Sequence, residues 1–258
     1  VQLTHFKFQL KGIAMSFPEG LWSAIRQRPH DDEPRLQLAD WLDEHDAPRG
    51  EFIRLQVQLE RVPLKNPLRL QLESRERELL ADHETEWLGG LGPFIDWAVF
   101  HRGFPSEISI KCDEFLRHGA NLLDATPIEM LHLSGARDMA AELSRCETLR
   151  RVAFLDLSNN HLRDPGVRVL SESPNLFNLE GLNLSSTAMG DAGARSLAAS
   201  SGLRNLRELY LCDNRITRAG LKALAAAPFV QRLDILSLRF NESINTREPI
   251  EADVALQL

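Results

Sequence analysis

The sequence predicts an α/β chain: stacked strand–turn–helix units of about 27 residues behind a small all-helical N-terminal domain. Three observations carry this prediction. Leucine and turn residues recur at one fixed interval through the second half. Within each interval a stretch of strand-like alternation is followed by a helical apolar stripe. The first half has helix-start signals and no repeat.

The repeat comes first, because it sets the fold. VAFLDLSNNHL, LEGLNLSSTAM, LRELYLCDNRI and LDILSLRFN begin at positions 152, 179, 206 and 233. Leu155, Leu182, Leu209 and Leu236 each follow the one before by 27 residues. The turn residues Asn160, Thr187, Asn214 and Asn241 keep that interval, as do Gly166, Gly193 and Gly220, and Leu170, Leu197 and Leu224. Upstream, IEMLHLSGA at 128–136 is a degenerate unit, three residues short in its turn and without the Asn, and EISIKC at 107–112 reads as a first strand. Strand side chains alternate between faces, so Leu155 and Leu157 face the core while Phe154, Asp156 and Ser158 face out. Gly166, Val167 and Leu170 then place an apolar stripe on a helix. Asp164 and Asp191 fall near helix starts, where a carboxylate meets the positive end of the helix dipole. One unit cannot bury its own apolar face, so units must stack.

The pattern L-x-x-L-x-L-x-x-N-x-L followed by G-x-x-x-L resembles leucine-rich repeats, closely those of the ribonuclease-inhibitor-like class, over roughly residues 104–245. The resemblance implies a right-handed solenoid with a parallel sheet on its concave side, and an interaction module with no catalytic residues. Concave sheets of solenoids are binding surfaces. The residues expected on this one are His132, Phe154, Asp156, Asn183, Glu208, Tyr210, Cys212 and Arg239, with Phe154 and Tyr210 as aromatic anchors, Gly181 leaving room beside them, and Ser109 at the head of the central row. His132 and Asp156 are expected to neighbour each other. Asn160, Thr187, Asn214 and Asn241 are expected to form a structural ladder, because an Asn amide offers both donors and acceptors to a buried turn. Thr187 can do this only in part.

The first half reads as four helices. Ser16 and Pro18 open the first, which carries Leu21, Trp22 and Ile25. Asp32 and Pro34 open the second, with Leu38, Trp41 and Leu42 as core. Gly50 is expected to break the chain before a third helix carrying Phe52, Leu55 and Leu59, and Asn66-Pro67 opens a fourth that runs through Trp87. RLQLADWLDEH from Arg35, PRGEFIRLQ to Gln56 and HRGFP from His101 resemble a bacterial module called the repeat-companion domain, which precedes such repeats. That resemblance implies an architecture and a bacterial cytoplasmic setting, and no activity. The expected division is a leader of doubtful nativeness at 1–14 with translation starting at Met15, a helical domain at 15–98, the solenoid at 99–246 and an atypical cap at 247–258.

Composition narrows the chemistry. A net charge of −7 argues against a general nucleic-acid binder. No apolar run reaches membrane-span length. Cys112, Cys146 and Cys212 have no metal-site or disulfide spacing, which fits a reducing compartment. The acids from Asp31 to Glu51 invite an acid/base or metal reading, with Asp40 and Glu44 on one helix face, but charge runs are ordinarily solvated helix faces. Arg35, Arg49 and Arg54 stand ready as partners. No phosphate-binding loop, metal spacing or cofactor motif is present. The expected function is a non-enzymatic scaffold that binds a protein or peptide. A regulator of another enzyme, such as an inhibitor or GTPase-activating factor, is the alternative, and an enzyme using the acidic N-terminal helices a weaker one. An uncovered final repeat at 233–258 would allow a homodimer.

Overall fold

The computed structural model describes residues 17–45 and 47–241. The expected leader, the start at Met15, the helix signal at Ser16 and the C-terminal cap lie outside the described residues, as does most of the segment expected to support a homodimer. Two compact units divide the chain, Val1–Glu107 with Asp124–Pro127, and Ile108–Leu123 with Ile128–Leu258.

In the first unit, α1 spans Glu19–Gln27, α2 Asp32–Leu42, α3 Ala47–Arg61 and α4 Pro67–Leu88. Their starts follow local chemistry. Asp31 caps α2 by accepting from the Glu33 N–H, and Asn66 caps α4 by accepting from Leu68 N–H with Pro67 in the first turn. α3 is the central element and buries two faces. Ile53 and Val57 pack with Ile25, Leu38, Leu42 and Phe104, while Phe52, Leu55 and Leu59 pack with Leu79, Trp87 and Phe100. Each such side chain contributes roughly 1.5–3 kcal/mol by leaving water.

Two sequence expectations are corrected here. The unit is not all helical: β1, Ile95–His101, and the first residues of β2, Phe104–Lys111, lie beside each other in its sheet. The turn between them, Arg102-Gly103, has both residues at positive φ, 49° and 89°, as the type I′ turn of a two-residue hairpin requires. Gly50 does not break the chain either. It lies inside α3, where an added Cβ would stand 2.8 Å from the Ala39 carbonyl of α2. Its missing side chain is what lets the two helices touch.

In the second unit, the end of β2 is followed by β3 (Met130–Ser134), β4 (Phe154–Asp156), β5 (Gly181–Asn183), β6 (Glu208–Tyr210) and β7 (Ile235–Ser237), each beside the next in one sheet. β3 to β7 pair in parallel, with Leu131, Leu155, Leu182, Leu209 and Leu236 in register. The helices α5 (Cys112–Ala125), α6 (Ala140–Arg145), α7 (Arg163–Ser171), α8 (Asp191–Ala198) and α9 (Arg218–Ala225) alternate with the strands, and α6 to α9 pack in chain order. Leu155, Leu157, Leu182, Leu184, Leu209 and Leu211 are buried between the two layers.

Three ladders of side chains tie each repeat to the one before. In the first, the Asn160 amide donates to Leu133 O (2.6 Å) and accepts from Ala136 N–H (2.7 Å), Asn214 donates to Leu184 O (2.8 Å), and Asn241 donates to Leu211 O (2.8 Å). The Thr187 hydroxyl donates to Leu184 O of its own repeat instead. The residue before each ladder position, Asn159, Ser186, Asp213 and Phe240, is left-handed, with φ of 51–62°. In the second ladder, Arg151, Asn178 and Asn205 each donate to the carbonyl 28 residues back, on Leu123, Arg150 and Phe177.

The third ladder caps helices. Asp164 accepts from the N–H groups of Gly190 (2.7 Å) and Gly193 (2.8 Å) at the start of α8, and Asp191 accepts from those of Thr217 (2.8 Å) and Gly220 (2.9 Å) at the start of α9. The carboxylates therefore serve the next repeat's helix, where unpaired N–H groups need acceptors. The glycines at Gly193 and Gly220 follow from this. A Cβ on Gly220 would stand 2.5 Å from Asp191 Oδ1 and block the approach.

Thr187→Asn restores the missing bond to the preceding repeat and is expected to raise unfolding free energy by about 1 kcal/mol in urea titrations. Asp191→Ala should lower it by about 1–2 kcal/mol. Gly220→Ala should do the same by displacing the carboxylate, and the double variant should cost little more than either alone.

Candidate functional site

The outward positions of β3 to β6, continued by the residue two past each of the last three strands, make one open face. One row is Met130, Phe154, Gly181 and Glu208, the next His132, Asp156, Asn183 and Tyr210, and the last Ser134, Ser158, Ser185 and Cys212. Strand neighbours within a row stand about 4.8 Å apart. Apart from buried Gly181, these residues are half-buried or exposed. Ser109, expected at the head of the central row, is buried instead. Arg239 and Phe240 lie exposed just past β7, and Ile235 is exposed on it.

A polar network fixes the middle of this face. Asp156 Oδ2 meets His132 Nδ1 at 3.0 Å and accepts from Asn183 Nδ2 at 3.0 Å, while Oδ1 accepts from the Ser158 N–H at 2.7 Å. Burial acts to raise the Asp156 carboxyl, but the hydrogen bonds from His132 and Ser158 outweigh it and hold the group below its ordinary range. Asn183 in turn accepts from the Ser185 N–H, and Cys212 Sγ meets Ser237 Oγ at 2.9 Å.

Beside the network sits an aromatic pair. Phe154 leans over Gly181, where any Cβ would collide with its ring. Its centroid is 6.0 Å from that of Tyr210, with the rings tilted by 44°. The Tyr210 hydroxyl donates to Glu208 Oε2 at 2.7 Å, and burial together with this bond pushes the phenol up to about 12. Among the described residues no lysine or arginine pairs with Glu208.

A family model for the leucine rich repeat matches residues 153–171, 175–198 and 202–225. Within the second unit, these three stretches are similar to leucine-rich repeats. These repeats generally mediate protein–protein interaction and are typically non-enzymatic. The three matched stretches take in β4, β5 and β6, and with them Phe154, Asp156, Asn183, Glu208 and Tyr210. No curated protein matches the chain.

The acids of the first unit are placed differently. Arg54 of α3 bridges Asp43 (2.5 Å) and Asp40 (2.8 Å) of α2, and Arg61 and Arg102 both reach Asp32, at 2.7 and 3.1 Å. Hydrogen bonding to Arg54 holds the Asp43 carboxyl low. Arg35 and Arg49 are buried, and the Arg49 guanidinium stands 5.2 Å over Phe104 and 5.6 Å over Phe17. A cleft of about 210 Å³ opens between α3, α4 and β1, lined by Glu60, Glu73, Glu76 and His101 among others, and neither Asp40 nor Glu44 lies in it. Among the described residues no group of three or more His, Cys, Asp or Glu could hold a metal ion, and no helix is long and apolar enough to cross a membrane.

Because the folded Asp156 value lies below the ordinary 3.8, its stabilising contribution is complete above that pH and disappears as pH falls through the folded value. Asp156→Asn should therefore unfold at lower urea than the parent near neutral pH. The two midpoints should converge in strong acid.

Proposed function

We propose that this chain is a non-enzymatic interaction protein that captures a protein or peptide on the open, concave face of its repeat sheet. One observation carries the reading most of the way: the leucines of β4 to β6 are consumed by the interior, yet Phe154 and Tyr210 are held on the opposite face. Partly exposed aromatics beside small residues make good anchors for a partner, because they bring large contact area at low entropy cost. His132, Asp156, Asn183, Glu208, Cys212 and Arg239 supply the polar surroundings. The first unit would serve as a bacterial companion domain at 15–98 for a right-handed solenoid at 99–246, working in a reducing cytoplasm. The sequence resemblances and three cysteines without pairing spacing support that setting.

The test is affinity capture from a lysate with the parent chain and with Phe154→Ala/Tyr210→Ala. The double variant should lose the captured protein while its circular dichroism spectrum stays that of the parent. Recovery of the same protein by a folded double variant would place binding elsewhere.

A further inference from the structure

We propose that Phe154, Tyr210 and Glu208 form a clasp for a cationic side chain, the arginine or lysine of a protein partner. The proposal rests on the open-face reading and names the chemistry that face recognises.

Charge complementarity selects the occupant. On β3 to β6 the open face carries Asp156 and Glu208, and no lysine or arginine. Lys111 lies on β2 and Arg239 past β7, on either side of these strands, and the central rows hold only His132 as a possible cation. The two acids differ in what they still offer. Asp156 has both oxygens engaged, by His132, Asn183 and Ser158. Glu208 accepts only from Tyr210, through Oε2, so among the described residues Oε1 has no hydrogen-bond donor.

Geometry points the same way. Two tilted rings stand 6.0 Å apart, and one of them, Tyr210, is hydrogen-bonded to that carboxylate. A cation within about 6 Å of a ring centroid is attracted by the ring quadrupole, and a neighbouring carboxylate adds direct pairing. A guanidinium suits this arrangement well, since it stacks on rings and donates in a plane to carboxylate oxygens. The Tyr210 hydroxyl has a second job here, since its bond to Oε2 holds Glu208 beside the rings. Gly181 completes the site by leaving room for the Phe154 ring, which a Cβ there would strike.

Tyr210 is the chain's single tyrosine, so the site carries its own reporter. With tyrosine ring carbons labelled, the full chain is titrated by nuclear magnetic resonance with the capped tripeptides Gly-Arg-Gly and Gly-Lys-Gly, and with Gly-Gln-Gly and Gly-Glu-Gly as controls. The Tyr210 signal should move saturably with the cationic peptides alone, and both Glu208→Gln and Phe154→Leu should weaken that response roughly tenfold. No saturable movement, equal movement with Gly-Gln-Gly, or an undiminished response in folded Glu208→Gln overturns the clasp. Glu208→Gln also separates the clasp from the parent reading. If it still captures the lysate protein that Phe154→Ala/Tyr210→Ala loses, the face binds a partner and the cationic occupant is wrong.

Discussion

The second unit depends on one constraint: backbone groups in its tight turns and helix starts cannot be left without partners once repeats stack over them. Each repeat meets that demand with side chains from an adjacent repeat. Asn160, Asn214 and Asn241 reach back to a carbonyl, Asn178 and Asn205 do so on the return loop, and Asp164 and Asp191 reach forward to helix N–H groups. Every one of these bonds crosses a repeat boundary. Repeat interfaces are thus polar at their rims and leucine-filled inside, and a unit removed from its neighbours would lose both kinds of support at once.

That arrangement explains which parts were legible in the sequence. Leu155 to Leu236 and the ladder asparagines repeat at one interval, so periodicity alone marks strand, turn and interior. The forward caps were harder to read. Asp164 and Asp191 sit at helix starts, and the local dipole accounts for them there without calling on the next repeat. In the fold their acceptor bonds lie 26 and 29 residues on, and Gly193 and Gly220 are glycine because an oxygen must come close. The hairpin at β1 is hard to read in the sequence for a different reason. Its alternation is short, it follows a helical stretch, and its turn, Arg102-Gly103, lacks the usual asparagine. Gly50 misled in the same way, since a glycine that opens a helix contact and one that ends a helix look alike in sequence.

The open face was legible as a set of positions and not as chemistry. Strand alternation assigns Phe154, Asp156, Asn183, Glu208 and Tyr210 to one side. It cannot tell that Asn183 joins the His132–Asp156 pair, or that Phe154 lies over Gly181, because those depend on rotamers across strands. The distinction matters for function. A carboxylate already held by three donors is part of the scaffold, whereas one with an open oxygen beside two rings is available to something else.

The same distinction separates the acids of the two units. Asp40 and Asp43 are occupied by Arg54, Asp32 by Arg61 and Arg102, and Glu51 by Arg75, which joins α3 to α4. Those carboxylates looked like a reservoir of chemistry in the sequence, and they serve as cross-links between helices. Exposed pairs of this kind contribute little stability singly, but they fix how α2, α3 and α4 cross, and they leave each acid with its counter-ion in place. Among the described residues Glu208 has no such partner. Its neighbour is a neutral phenol, which donates one hydrogen bond and brings no compensating charge, so that carboxylate is paired differently from the acids of the first unit.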